Sequence, residues 1–172
     1  MTAMIQIRSA TVEDVPQIAE LVALYARQGL MLPRSAQSLC EHVQSCLVGA
    51  VGDRVLGVGA LHVLAADLAE IRSLCVAQDA QGSGLGGRLV DALCARAKEL
   101  RIPRVLALTY RATFFSRSGF EIVDRESLRA KIWKDCISCP KQHACDEIAL
   151  VRVVYGAAFS QTSRQDLPAS VV

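Results

Sequence analysis

The run Gln81-Gly82-Ser83-Gly84-Leu85-Gly86 decides the fold of this 172-residue chain. An apolar stretch ending Leu74-Cys75-Val76 precedes it, and an amphipathic segment from Leu85 to Leu100 follows. Strand, glycine-rich loop and helix in that order turn several backbone N–H groups towards one point. The helix N-terminus adds partial positive charge there, so the natural guest is a phosphate or pyrophosphate. Glycine lets the backbone bend tightly and approach an anion without a Cβ in the way. The residues that would grip it are Gln81, Gly82, Ser83, Gly84, Leu85, Gly86 and Gly87. A Walker loop requires Lys and then Ser or Thr after its last glycine; Gly86 is followed by Gly87-Arg88, which excludes it. Gly82, Gly84 and Gly87 match the spacing of a dinucleotide-binding fingerprint, but about 80 residues precede them, late for a first strand–helix turn.

Towards the N-terminus, Ala69 to Val76 reads as a strand, reached through Ala65-Ala66-Asp67 from another strand at Val55 to Val63. That strand forms a hairpin with Leu47 to Val51 around Gly52-Asp53. Ile5-Gln6-Ile7-Arg8 alternates as a first strand, and Thr11-Val12-Glu13-Asp14 carries helix-capping chemistry. Val15, Ile18, Ala19, Val22 and Tyr25 then recur at helical spacing, with Pro16 tolerable in the first turn and Gly29 at the end. A second helical stretch starts near Ser35, just after Arg34, and carries Leu39 and Val43 inward.

Towards the C-terminus, Leu85, Leu89, Leu93, Ala97 and Leu100 form one stripe of the long helix, which Pro103 stops. Val105 to Thr109 reads as a buried strand, and a short helix over Ala112 to Arg117 ends at Gly119. Strands at Glu121 to Val123 and Ile148 to Val154 complete the set. No internal repeat or linker interrupts the chain, so the expectation is one domain over residues 1–159 and a polar tail over 160–172.

Bulk composition narrows the classes. Hydrophobic content of 52% with 5% aromatic points to a core of aliphatic and small residues. A formal charge of +2 gives no electrostatic case for nucleic acid or an anionic membrane as partner. The apolar runs are interrupted well short of a membrane span. Met1 to Arg8 lacks the charged and apolar regions of a signal peptide, and seven cysteines, an odd number, argue for reduced thiols. These features predict a cytoplasmic protein.

Leu74-x-Val76 followed by Gln81-x-x-Gly84-x-Gly86 resembles the acetyl-CoA pyrophosphate loop of the GNAT N-acetyltransferase superfamily. The predicted order β, α, α, β, β, β, glycine loop, α, β, α, β, β is that of the same fold. The resemblance implies an α+β (α/β/α) architecture, a mixed, mostly antiparallel twisted sheet of about six to seven strands with helices on both faces. Further segments look like one branch of that superfamily, the amino-acid N-acetyltransferases and N-acetylglutamate synthases of arginine biosynthesis. They are Gly59-Ala60-Leu61-His62, Ala69-Glu70-Ile71-Arg72-Ser73-Leu74, Leu108-Thr109-Tyr110 and Phe114-Phe115-x-x-x-Gly119-Phe120. Lys131-Ile132-Trp133-Lys134-Asp135-Cys136, Cys139-Pro140 and Cys145-Asp146-Glu147 extend the likeness, which runs from about Ile5 to Val153. It implies acetyl transfer from acetyl-CoA, as co-substrate, to the α-amine of L-glutamate. The chain would be the short form, without the amino-acid kinase domain that some such synthases carry. A homodimer is left open.

An amine attacking a thioester needs to be neutral, and it needs a carbonyl polariser and a proton source for the leaving thiolate. Glu70 lies on the central strand six residues before Val76, and alternation predicts both on one face, where the carboxylate draws the ammonium proton through water. The family holds the acetyl carbonyl at backbone N–H groups near Leu74, Cys75 and Val76, on a splayed strand. Many relatives place a tyrosine four residues before the glycine matching Gly119; here that position is Phe115, which leaves Tyr110 as the nearest phenol. A coenzyme A thiolate with a pKa of about 8.5 leaves without protein help as the other route.

A glutamate acceptor carries two carboxylates and calls for cationic donors. Arg34, at the start of the second helix, offers a planar fork. His62 projects opposite Leu61, and Arg72 shares the Glu70 face, where it contacts substrate or pairs with Glu70. Cys136, Cys139, His143 and Cys145 could supply four zinc ligands, but they form one compressed tract, and reduced thiols with no metal are the expectation. Cys75 has no His–acid arrangement for an acyl relay. Two other functions remain. One keeps the fold and changes the acceptor to a peptide N-terminus, lysine or small amine; the other is a non-catalytic acetyl-CoA- or metal-sensing module.

Overall fold

The computed structural model describes residues 4–129, 131, 135–139 and 144–156. Strand β1 (Gln6–Ser9) leads into a capping box in which Thr11 and Asp14 satisfy each other's orphan donors. Helix α1 (Val15–Arg27) follows with Pro16 in its first turn, and Gly29 leaves it at φ +71°. Helix α2 (Ala36–Glu41) is short; the Ser35 hydroxyl caps it by accepting from Ser38 N at 3.1 Å.

Three antiparallel strands come next: β2 (Cys46–Val51), β3 (Arg54–Ala65) and β4 (Leu68–Val76). The glycine loop then opens helix α3 (Leu85–Glu99). Strand β5 (Arg104–Thr109), helix α4 (Ala112–Arg117), the two-residue strand β6 (Glu121–Ile122) and strand β7 (Ile148–Val153) complete the order. The strands form one sheet of seven, ordered β1-β2-β3-β4-β5-β7-β6. Among the described residues β4 and β5 are the parallel neighbours, as a crossover through α3 requires, and the other pairs are antiparallel. This is the α/β/α arrangement expected from the sequence.

Each sheet face carries its own core. Leu85, Leu89 and Leu93 of α3 are fully buried against Ile71, Val105 and Leu150, each worth about 1.5–3 kcal/mol. On the opposite face Ile18 and Val22 of α1 meet Val48, Val58 and Cys75. Helix α3 rides close because the strands beneath it carry glycine; a Cβ at Gly49 would lie 2.4 Å from the Leu85 side chain.

The feature that makes a site is an irregularity in β4. Arg72 pairs with Ala60 and Cys75 with Val58, so two β4 residues, Ser73 and Leu74, oppose Gly59. Ser73 adopts φ +53° in this bulge. The extra residue reverses the alternation: Ile71 packs on the α3 side and Cys75, four residues on, on the α1 side. Val76 therefore shares the α3 side with Ile71, and Glu70 lies on the opposite face, not on the same one as alternation predicts. Beside the bulge β4 also leaves β5; their ladder covers Leu68–Ile71 against Arg104–Ala107 and stops, while β5 continues along β7 to Thr109.

Candidate active site

The parting of β4 from β5 opens a cavity of about 820 Å³, within the usual range for small-molecule sites. The strand ends supply its middle, Ser73 to Val76 on one wall and Leu108 to Tyr110 on the other; the glycine loop supplies one end. There the Ser83 hydroxyl donates to Ala80 O at 2.6 Å, and Gly82 and Gly84 take φ +78° and +79°. The amides of Gly82, Gly84, Gly86 and Gly87 find no acceptor among the described residues. A Cβ at Gly82, Gly84 or Gly87 would meet nothing within 4 Å, so the cradle is open. Four unspent N–H groups at the N-terminus of a 15-residue helix suit a diphosphate.

Tyr25, which helical spacing predicts only as an apolar position of α1, ties this loop to the strand. Its hydroxyl donates to Val76 O at 2.6 Å and accepts from Gln81 Nε2 at 2.8 Å. The bond fixes the last β4 carbonyl towards α1. Cys75 beside it is buried, which pushes its thiol up to about 12. It keeps its proton at neutral pH and is no nucleophile.

Glu70 lies in the cavity wall, 4% exposed. Its Oε2 accepts from Arg72 Nε at 2.6 Å and Lys131 Nζ at 2.8 Å; Oε1 takes no partner among the described residues. Lys131 reaches Asp135 at 3.1 Å, and Arg72 closes the ring with a second bond to Asp135. Burial pushes the Asp135 carboxyl up, but the Lys131 bond and the charges of Arg72 and Lys131 outweigh it and hold it below the usual range. Arg72 thus pairs with Glu70 and Asp135, and its donors are largely committed. Sequence reasoning found Glu70 and Arg72 but not this clasp, whose other half lies 61 residues away.

Arg34 lines the cavity near Leu30 to Leu32 and, among the described residues, makes no hydrogen bond or ion pair. Tyr110 lines the opposite wall. Phe115 is core, with edge-on contacts to Phe114 and Phe120 at 5.1 and 5.2 Å between ring centres. His62 lies directly across the β3–β4 ladder from Glu70 and lines a smaller recess off the main cavity together with Arg34 and Arg72.

The cysteine tract forms the far end. Arg125 donates to Cys145 O at 3.3 Å, and its guanidinium lies beside the Cys145 and Cys136 sulfurs. Cys136, Cys139 and Cys145 are free thiols in the cavity lining, and His143 lies outside the described residues, as do Ile132, Trp133 and Lys134. Among the described residues no three His, Cys, Asp or Glu side chains gather as a metal-ligand set. Nor is any described helix long and apolar enough to cross a membrane.

A seven-stranded sheet with one parted strand pair, and a glycine cradle beside the gap, defines an acyltransferase of the GNAT type. The model of the acetyltransferase (GNAT) family matches residues 12–120, and the chain belongs to that family. An uncharacterized N-acetyltransferase of Chlorobaculum tepidum is 36% identical over 148 residues, covering 86% of this chain and 96% of that protein. An amino-acid acetyltransferase of Mycobacterium tuberculosis is 37% identical over 132 residues, 75% of each chain. Among solved structures, an N-acetylglutamate synthase from Neisseria gonorrhoeae, complexed with coenzyme A and N-acetyl-glutamate, superposes with a TM-score of 0.78 at 28% identity. The match covers 91% of this chain and 36% of that longer protein.

Proposed function

We propose that this protein transfers the acetyl group of acetyl-CoA to the α-amine of L-glutamate, giving N-acetylglutamate, the first step of arginine biosynthesis. The observation that carries the reading is the parted β4–β5 pair, with a diphosphate cradle at one end of the cavity and, in its wall, the Arg34 guanidinium, which is uncommitted among the described residues. The amino-acid acetyltransferase among the relatives and the N-acetylglutamate synthase among the neighbours support the acceptor.

In this reading Gly82, Gly84, Gly86 and Gly87 hold the pyrophosphate of acetyl-CoA, with Gln81, Ser83 and Leu85 shaping the turn. Backbone N–H groups of Leu74 and Val76, on the β4 edge freed from β5, polarise the thioester carbonyl, while that of Cys75 faces β3. Glu70 Oε1, unshared among the described residues, takes the ammonium proton through water, so the neutral amine attacks the carbonyl carbon. The C–S bond then breaks, the nitrogen gives up its second proton to solvent as the amide forms, and the thiolate takes a proton from Tyr110 or solvent. Arg34 and His62 receive acceptor carboxylate, while Arg72 orients Glu70 more than it binds substrate. No metal is assigned a role, and the active unit comprises residues 1–159.

Steady-state acetylation of a panel of amino acids, a lysine peptide and a polyamine tests the proposal. Glutamate is expected to exceed neutral amino acids by at least tenfold in kcat/KM. Equal or faster turnover of the peptide or polyamine would remove glutamate as the acceptor.

A further inference from the structure

A recess of about 230 Å³ opens off the main cavity, and Arg34, Arg72, Ser73 and Asp135 line both. We infer that this recess receives the side chain of the acceptor amino acid, and that His42 together with Arg34 selects a terminal carboxylate. The inference rests on the amino-acid acetyltransferase reading above and adds a residue that the sequence does not mark.

Position is the first argument. The two spaces join at Ser73, the bulge residue, beside the amides of Leu74 to Val76. An amine placed at the parted strands thus has its own side chain within reach of the recess. The second is shape and polarity. Ile18, Leu39, Val58 and Ala60 give a buried apolar floor suited to methylenes, while Arg34, His42 and His62 add polar groups around it.

The third is donor bookkeeping. His42 Nδ1 lies 2.8 Å from Ser38 O, and a carbonyl can only accept, so Nδ1 carries the proton and Nε2 is left for another partner. The His62 ring stands 5.4 Å from that of His42. Arg72 is committed to Glu70 and Asp135, whereas Arg34 keeps its fork unspent among the described residues. The two spaces differ in charge accordingly: the Glu70 carboxylate lines the main cavity and not the recess, His42 lines the recess and not the main cavity, and Arg34 lines both. A molecule with an ammonium at one end and a carboxylate at the other fits that difference.

Kinetics of wild type, His42→Leu and Arg34→Gln with glutamate and norvaline test the assignment, since norvaline keeps the chain length and replaces the carboxylate with methyl. Each variant should lower the glutamate-to-norvaline ratio of kcat/KM by about ten- to hundredfold, chiefly through KM for glutamate. An unchanged ratio in both overturns the inference. Arg34→Gln breaks no hydrogen bond or ion pair among the described residues, so it reports even if His42→Leu does not fold. A second readout needs no turnover: diethyl pyrocarbonate modification of the coenzyme A-loaded protein, read by mass spectrometry. Glutamate should slow labelling of His42 and norvaline should not; equal labelling in both overturns the recess as a carboxylate site. If glutamate protects His42 while no amino acid is acetylated, the recess stands and the reaction assigned above falls.

Discussion

Tyr25 shows how much a single atom can carry in this site. The ring packs with the α1 core, while its hydroxyl spans from Val76 O to Gln81, joining the end of β4 to the start of the glycine loop. Tyr25→Phe keeps the packing and removes both bonds. Two neutral hydrogen bonds of this kind support a rise in KM for acetyl-CoA of about two- to tenfold, with kcat less affected. Unchanged coenzyme A affinity by calorimetry would show that the latch is only structural. Nothing in the sequence marks this role: Tyr25 falls on an apolar helix position, and its acceptor is 51 residues away. Glu70 is different, because its type, its strand position and a pairing with Arg72 were legible, yet its second cationic partner, Lys131, was not.

The glycine loop is the element whose sequence and structure agree most directly. Residue type forces the outcome there, since Gly82 and Gly84 occupy left-handed backbone that other residues enter at a cost of roughly 1–2 kcal/mol. Gly84→Ala should therefore re-aim the first turn of α3 and weaken coenzyme A binding by tenfold or more, measured by calorimetry, with a small drop in Tm. Full affinity in that variant would move the diphosphate away from this cradle. Strand β4 is the opposite case. Ala69 to Val76 reads as a plain alternating strand, and the residue that breaks the pattern is a serine at φ +53°, not a glycine or asparagine that would advertise it. The bulge is set by the pairing of β3 with β4, a non-local fact, so a local pattern places Glu70 and Val76 on one face when the sheet places them on two.

At the scale of the whole molecule, element order was readable because each segment carries its own period and punctuation, as at Gly29, Gly52, Pro103 and Gly119. How β1 is fastened to α1 was not. Arg8 grips both Asp14 oxygens at 2.7 and 2.8 Å while Thr11 N donates to the same carboxylate. The Arg8 bond, against the opposing pull of burial, lowers the Asp14 pKa from its ordinary value of 3.8 to about 2. Because the folded pKa is depressed, the stabilisation is complete above the unfolded value and is lost as pH falls through the folded one. It amounts to about 2 kcal/mol. Asp14→Asn should cost about that much at pH 7, and the gap from wild type should close between pH 4 and pH 2 in urea melts. A gap that persists at pH 2 would mean that the loss is packing and not charge.

The bulge in β4 also bears on how this protein can vary through descent. Point substitutions near Ser73 alter side chains but preserve the count of residues, so they leave the inside-out reversal intact. Removing one residue would swap the remaining β4 side chains, Cys75 and Val76, to the opposite faces of the sheet. The spacing between Glu70 and Gln81 should accordingly resist insertions and deletions far more than it resists amino-acid replacement. Homologous genes that lengthen or shorten this interval should have lost acetyl transfer.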